Sequence, residues 1–158
     1  MYTLILTLHN VTRWLVLFFG LIAVVRAFSG WLGKREWTKF DRQAGMMFAG
    51  MIDLQLLLGL ILYFIYTPFT KVMFANFSGA MRDGVTRFFA IEHLLAMLVA
   101  LVLAHIGASS VKKAAVAVSR HKRAAIWFTA TLLLILAMIP WPFMDYGRPL
   151  LRLFGFTL

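Results

Sequence analysis

The sequence predicts an all-α integral membrane protein, an up-down four-helix bundle with both termini outside the cytoplasm. Three observations predict it. Hydrophobic residues fill 62% of the 158 positions and charged residues only 14%, too little polar surface to enclose so apolar a core in water. The apolar residues fall into four runs, each near the roughly 20 residues that a spanning helix needs. The basic residues behind the net charge of +10 gather in two of the connections, the asymmetry that orients membrane helices. The prediction is a single membrane domain, 1–158, with no room for a second.

The first run covers about 2–25 and carries His9 and Arg13. It has no basic segment ahead of its apolar stretch and is long for a cleaved leader, so it reads as a retained helix that begins outside. The second covers about 45–66, with Asp53 inside it. The third covers about 88–109 and carries Glu92, His93 and His105. The fourth, about 124–141, is the shortest and stops at Pro140 and Pro142. Trp31, Trp37, Tyr66, Trp127 and Trp141 fall at or near run ends, where an interfacial aromatic belt sits. Between the second and third runs, Thr67 to Arg87 is too long for a simple turn. It mixes Phe69, Met73, Phe74 and Phe77 with polar residues, the pattern of a short helix lying in the interface.

Counting charges sets the direction. The first connection holds Arg26, Lys34, Arg35, Lys39 and Arg42, and the third holds Lys112, Lys113, Arg120, Lys122 and Arg123. The second connection and the C-terminal segment together hold Lys71, Arg82, Arg87, Arg148 and Arg152. Ten basic residues against five place the first and third connections in the cytoplasm. The same placement explains the positive charge without a nucleic-acid partner, for which no soluble basic face is left. Cysteine is absent, which excludes disulfides, thiolate metal sites and cysteine-attached haem. No phosphate-binding glycine loop, nucleophile triad or structural zinc spacing supports a soluble enzyme.

Six ionisable side chains stand inside the runs: His9, Arg13, Asp53, Glu92, His93 and His105. Such groups are costly in hydrocarbon and are paired or functional. At about 1.5 Å per residue, His9 lies roughly 10 Å, and His93 roughly 8 Å, below the outer ends of their helices. Helices one and three are diagonal partners in an up-down bundle. Two histidines at one level on diagonal helices can clamp a flat macrocycle, the arrangement of a b-type haem with two axial histidines. Gly20, one face-repeat after His9, and Ala100 and Ala104, on the face of His93, leave room for a macrocycle or for close helix packing. Arg13 and Asp53 approach one another in depth from neighbouring helices and are expected to form an ion pair. Arg13 and Arg87 are the candidate partners of haem propionates. His105 lies about 120° out of phase with His93, so one haem is expected rather than two. His105 is then a hydrogen-bonded helix-end residue, and His121, among Arg120, Lys122 and Arg123, is solvated.

Several strings carry a resemblance: Leu8-His9-Asn10-Val11-Thr12-Arg13-Trp14-Leu15, Asp53-Leu54-Gln55 through Tyr63-Phe64, Arg87-Phe88-Phe89-Ala90-Ile91-Glu92-His93, and Ile139-Pro140-Trp141-Pro142. Together they resemble a family of small four-helix bacterial membrane proteins labelled cytochrome b-like, and more distantly the cytochrome b561 architecture. The resemblance implies haem b, electron transfer and the bacterial inner membrane. Where many members carry a histidine, this chain has Asp53, which argues further against a second haem.

Three functions are therefore expected in order. The first is a b-type cytochrome-like electron carrier with one haem on His9 and His93, exchanging electrons with a quinone or a redox partner protein. The second is a haem-free accessory subunit of a larger respiratory or photosynthetic membrane complex. The third, a small transporter built on Arg13, Asp53 and Glu92, is disfavoured by four helices without an inverted repeat. A carrier or a subunit fits better than a stand-alone enzyme.

Overall fold

The computed structural model describes residues 1–153 and 156–157. It is all-helical apart from a two-residue strand pair, and four of its helical segments are long and apolar enough to cross a membrane. Their surfaces carry large apolar side chains in the open, including Phe18, Leu21, Leu57, Leu95, Val102 and Leu133. That much exposed hydrocarbon belongs against lipid. The chain is a multi-pass membrane protein.

Helix α1 runs Tyr2–Leu32, seven residues beyond the expected span. Nothing in that stretch breaks a helix until Gly33, and Lys34 then turns the chain with a positive φ of 50°. Helix α2, Lys39–Ile61, begins on a capping box: the Thr38 hydroxyl accepts from the Asp41 amide, and the Asp41 carboxylate accepts from the Thr38 amide at 2.8 Å. The same carboxylate takes the Arg26 Nε–H at 2.8 Å, tying α2 back to α1. The sequence count treated Arg26 and Asp41 only as loop charges.

Helix α2 continues as one wider, π-type turn, Leu62–Tyr66, and stops before Pro68. The connection that follows holds helices α3 (Phe69–Ala75), α4 (Phe77–Arg82) and α5 (Gly84–Arg87). Asp83 caps α5, and hydrogen bonds from the Thr86 hydroxyl and amide hold its carboxyl below the usual carboxylate range. A second π-type turn, Phe88–Glu92, leads into helix α6, His93–Lys112. The extra residue in such a turn offsets the helix face by roughly 100°. The two π-type turns are joined directly, the Tyr63 hydroxyl donating to the Ala90 carbonyl at 2.8 Å.

Helix α7 runs Ala117–Met138. Ile139 is forced into extended backbone (φ −70°, ψ 131°) because it precedes Pro140. The chain beyond turns back, with the Arg148 amide donating to the Pro140 carbonyl at 2.9 Å. Strands β1 (Arg152–Leu153) and β2 (Phe156–Thr157) form an antiparallel pair, and β1 lies on α1.

Helix α1 packs on α2 and on α7, and α6 packs on α7 and less extensively on α2. Residue pairs fix the ends. Arg26 meets Asp41, and Arg123 donates to the Ser110 carbonyl, at the end of the basic connections. His9 meets Gln55, and His93 meets the Met138 carbonyl, at the other. The core centres on Phe48 and Phe128, whose rings meet edge to face at 5.8 Å. Gly20, Ala100 and Ala104 serve this packing. A Cβ on Gly20 would stand 2.7 Å from the Phe48 ring, and both alanines are fully buried. Of the two roles open to these small residues in the sequence, the structure takes close helix packing.

His121 corrects an expectation. It is buried, not solvated: its ring lies 4.7 Å from that of Trp37, Nε2 is 3.3 Å from the Glu36 carbonyl, and Gly30 leaves the space it fills. Its basic neighbours in sequence are engaged elsewhere, Arg120 and Arg123 on the Ala114 and Ser110 carbonyls and Lys122 over the Trp31 ring, while the imidazole turns inward.

Candidate functional site

Proline chemistry builds one wall of the site. In a helix the carbonyl of residue i accepts from the amide of i+4. The partners of Leu136 and Met138 would be residues 140 and 142, both proline, which have no N–H. Two side chains take the orphaned carbonyls. The Trp141 indole donates to Leu136 at 2.9 Å. His93 Nδ1 donates to Met138, also at 2.9 Å. A carbonyl only accepts, so Nδ1 carries the proton, and the neutral ring keeps its lone pair on Nε2.

The facing wall is α1 and α2. Gln55 Nε2 lies 3.0 Å from the His9 carbonyl and 3.2 Å from His9 Nε2, donating to both. Gly59 gives the imidazole its place, since a Cβ there would stand 3.2 Å from His9 Cε1. His9 Nδ1 and Gln55 Oε1 are buried with no hydrogen-bond partner.

Between the walls lies a cavity of about 570 Å³, lined by both histidines. Its floor is apolar, with Val16, Ile52, Met97 and Ile135. Tyr63 and Phe89, from the two π-type turns, flank it. The C-terminal segment makes a further side through Arg148, Pro149 and Arg152. That segment is strapped to α1: Asn10 donates to the Pro149 carbonyl and accepts from the Arg152 amide, while Arg13 and Trp14 both donate to the Leu150 carbonyl, at 2.6 and 2.9 Å. The volume is that of a small-molecule or cofactor site.

The structure thus brings His9, Arg13 and His93 to one cavity and leaves the other candidates outside it. Arg13 and Asp53 do not pair. Arg13 is drawn to the C-terminal carbonyls, and Asp53 instead accepts from His105 Nε2 at 2.7 Å. That second pair sits on the outer surface between α2 and α6, about half exposed on each side. Arg87 is not a cavity residue either. It precedes the π-type turn, and it donates to Glu92 at 2.6 Å and to the Met81 carbonyl. His105 borders a shallow groove with Ser109, Ser110, Lys113 and Arg123 at the basic end.

Sequence reasoning missed Gln55, Gly59, the Met138 carbonyl, Arg148 and Arg152. An amide within an apolar run was one signal available for Gln55. The spacing of Pro142 four residues after Met138 was another. Among the described residues no three His, Cys, Asp or Glu side chains converge, so the protein alone builds no metal cage. No protein-family model, curated protein or solved structure matches the chain, and what the cavity does is argued from its chemistry.

Proposed function

We propose that the protein is a b-type cytochrome-like electron carrier that holds one haem between His9 and His93. In this reading it is an up-down bundle in a bacterial cytoplasmic membrane, with both termini outside. The observation that carries the proposal is that His93 has its Nδ1 proton committed to a backbone carbonyl while lining a cavity that His9 also lines. A carbonyl on the far ring nitrogen is how metal-bound histidines are oriented and made more basic. Two imidazoles suffice because a macrocycle brings the other ligands itself.

The remaining residues fit the group. The apolar floor excludes water and the arginines favour an acidic edge. His9 Nδ1 and Gln55 Oε1, buried without partners in residues that line the cavity, leave polar capacity beside it. His9 would bind through Nε2 once the Gln55 amide turns aside. A bound haem supplies a one-electron couple; the chain orients the two imidazoles, keeps water out and sets the charge around the site. A quinone or a redox protein would be the exchange partner. The test is a reduced-minus-oxidised spectrum of purified protein. The proposal predicts a b-type spectrum that His93→Ala abolishes. A well-folded, haem-supplied preparation without haem contradicts it.

A specific observation favours a second reading, the accessory subunit. The Asp53–His105 pair is half exposed on a surface that otherwise faces lipid, where polar groups are costly. A neighbouring subunit over α2 and α6 would remove that cost. Co-purification of a defined partner in mild detergent, lost in Asp53→Leu, would support it; a monomer with full haem occupancy would count against it.

A further inference from the structure

The cavity is strongly unbalanced in charge. Arg13, Arg148 and Arg152 all line it, and among the described residues no Asp or Glu does. Arg13 is buried, its Nε has no partner, and its Nη2 bonds only to neutral backbone carbonyls. The Arg148 guanidinium lies 4.5 Å from the centre of the Phe89 ring, a cation on an aromatic face that also borders the cavity. Asp53 and Glu92, the acidic residues on α2 and beside α6, are engaged with His105 and Arg87, and Asp145, three residues before Arg148, is exposed and does not line the cavity. Arg13 is buried, Arg152 half-buried and Arg148 exposed at the rim. A buried cation without a counter-charge is costly, and three guanidinium groups around one apolar space favour an anion there.

We infer that the cavity's ligand has an apolar body and carboxylate groups, and that Arg148 and Arg152 bind those carboxylates, with Arg13 beneath them. Guanidinium recognises carboxylate through paired charge-assisted hydrogen bonds. The C-terminal segment therefore has a binding role. Its backbone is fastened to α1 through Asn10, Arg13 and Trp14, and this brings two arginine side chains to the cavity. The inference deepens the haem proposal, on which it rests for the body of the ligand but not for its charge. It also replaces Arg87 as the outward partner of the acidic edge.

The experiment titrates three porphyrins into purified full-length protein in detergent and follows absorbance and fluorescence. They are haem, haem with both propionates esterified, and iron-free protoporphyrin IX with its propionates intact. Each is repeated with Arg148→Gln/Arg152→Gln, whose melting temperature is checked first, and with His93→Ala. The expected result is that esterification and the double substitution each weaken haem binding by about tenfold or more. The two losses should not add, because they remove the same contacts. Protoporphyrin IX should bind the wild type and the His93→Ala variant, and bind the arginine variant less well. Equal affinity for haem and its ester, in a well-folded protein, overturns the inference and leaves the histidine proposal standing. Binding of protoporphyrin IX without any imidazole signature from haem sinks the histidine proposal and leaves the carboxylate site. Losses that add, or an arginine variant that binds all three as the wild type does, also overturn it.

Discussion

The two ends of the bundle solve the same problem, polar groups inside a membrane helix, in different ways. At the basic end protein packing fills the space around the buried polar side chains, even where an atom such as His121 Nδ1 has no partner. Asp41 collects Thr38 and Arg26, and His121 is enclosed by Trp37, Gly30 and the Glu36 carbonyl. At the cavity end His9, Gln55 and Arg13 likewise each keep a buried atom without a partner, but there all three border empty space. Thus tight packing at one end holds the helices together, and open space beside polar atoms at the other leaves capacity for a ligand. Stability and binding should then respond to different residues.

The sharpest way to break that division is Gly30→Ala. A Cβ there would overlap the His121 ring, and overpacking of this kind costs about 3 kcal/mol. Thermal melting of ligand-free protein should show the full loss, whereas His93→Ala, which gives up one hydrogen bond to the Met138 carbonyl, should cost about 1 kcal/mol. Equal damage from both would show that the cavity end is also structural.

Next in size is Pro140→Ala/Pro142→Ala. It frees Ile139 from extended backbone and restores an N–H four residues after Met138, so that a continued helix competes with His93 for the same carbonyl. Loss of an orienting partner typically weakens metal binding by about tenfold or more, and a haem titration should show it with little change in melting. Gln55→Leu acts in the opposite direction. It removes the amide from His9 Nε2, and relief of one hydrogen bond of about 1 kcal/mol should tighten haem roughly fivefold. Asp53→Asn should change melting in detergent by roughly 0.5 kcal/mol or less, since the pair with His105 is half exposed. Smallest is the Asp83 cap. Its carboxyl is held below the usual range by Thr86, so the cap persists at neutral pH. It is lost only as the pH falls through that lowered value, and amide exchange at Thr86 should rise there while α6 stays protected.

Much of this was legible in the residues. Four long apolar runs specify four long helices, and basic residues mark one end. His9 and His93 stand out because imidazoles in apolar runs are rare, and depth along a helix follows from a fixed rise. What escaped was set by local geometry that depth does not encode. The extra residue in the turn before His93 offsets Arg87 from the face that helix periodicity would give it. Arg13 and Asp53 do not meet, because Asp53 lies on the side of α2 toward His105 of α6 while Arg13 is taken up by the C-terminal carbonyls. Arg148 and Arg152 lie far from either histidine in the chain, and only the return of the segment after Pro140 brings them in. His121 was hidden by its basic neighbours, although Gly30 and Trp37 supplied its pocket.

The central claim is that His9 and His93 together hold one iron at the cavity end. It is tested most directly by the spin state and haem content of the purified ferric protein, measured for the wild type, His9→Ala and His93→Ala. The prediction is one low-spin haem per chain in the wild type, and a change to high spin or loss of haem in each variant. A low-spin haem that survives both substitutions, or a folded wild type that takes up no haem when supplied with it, would contradict the claim.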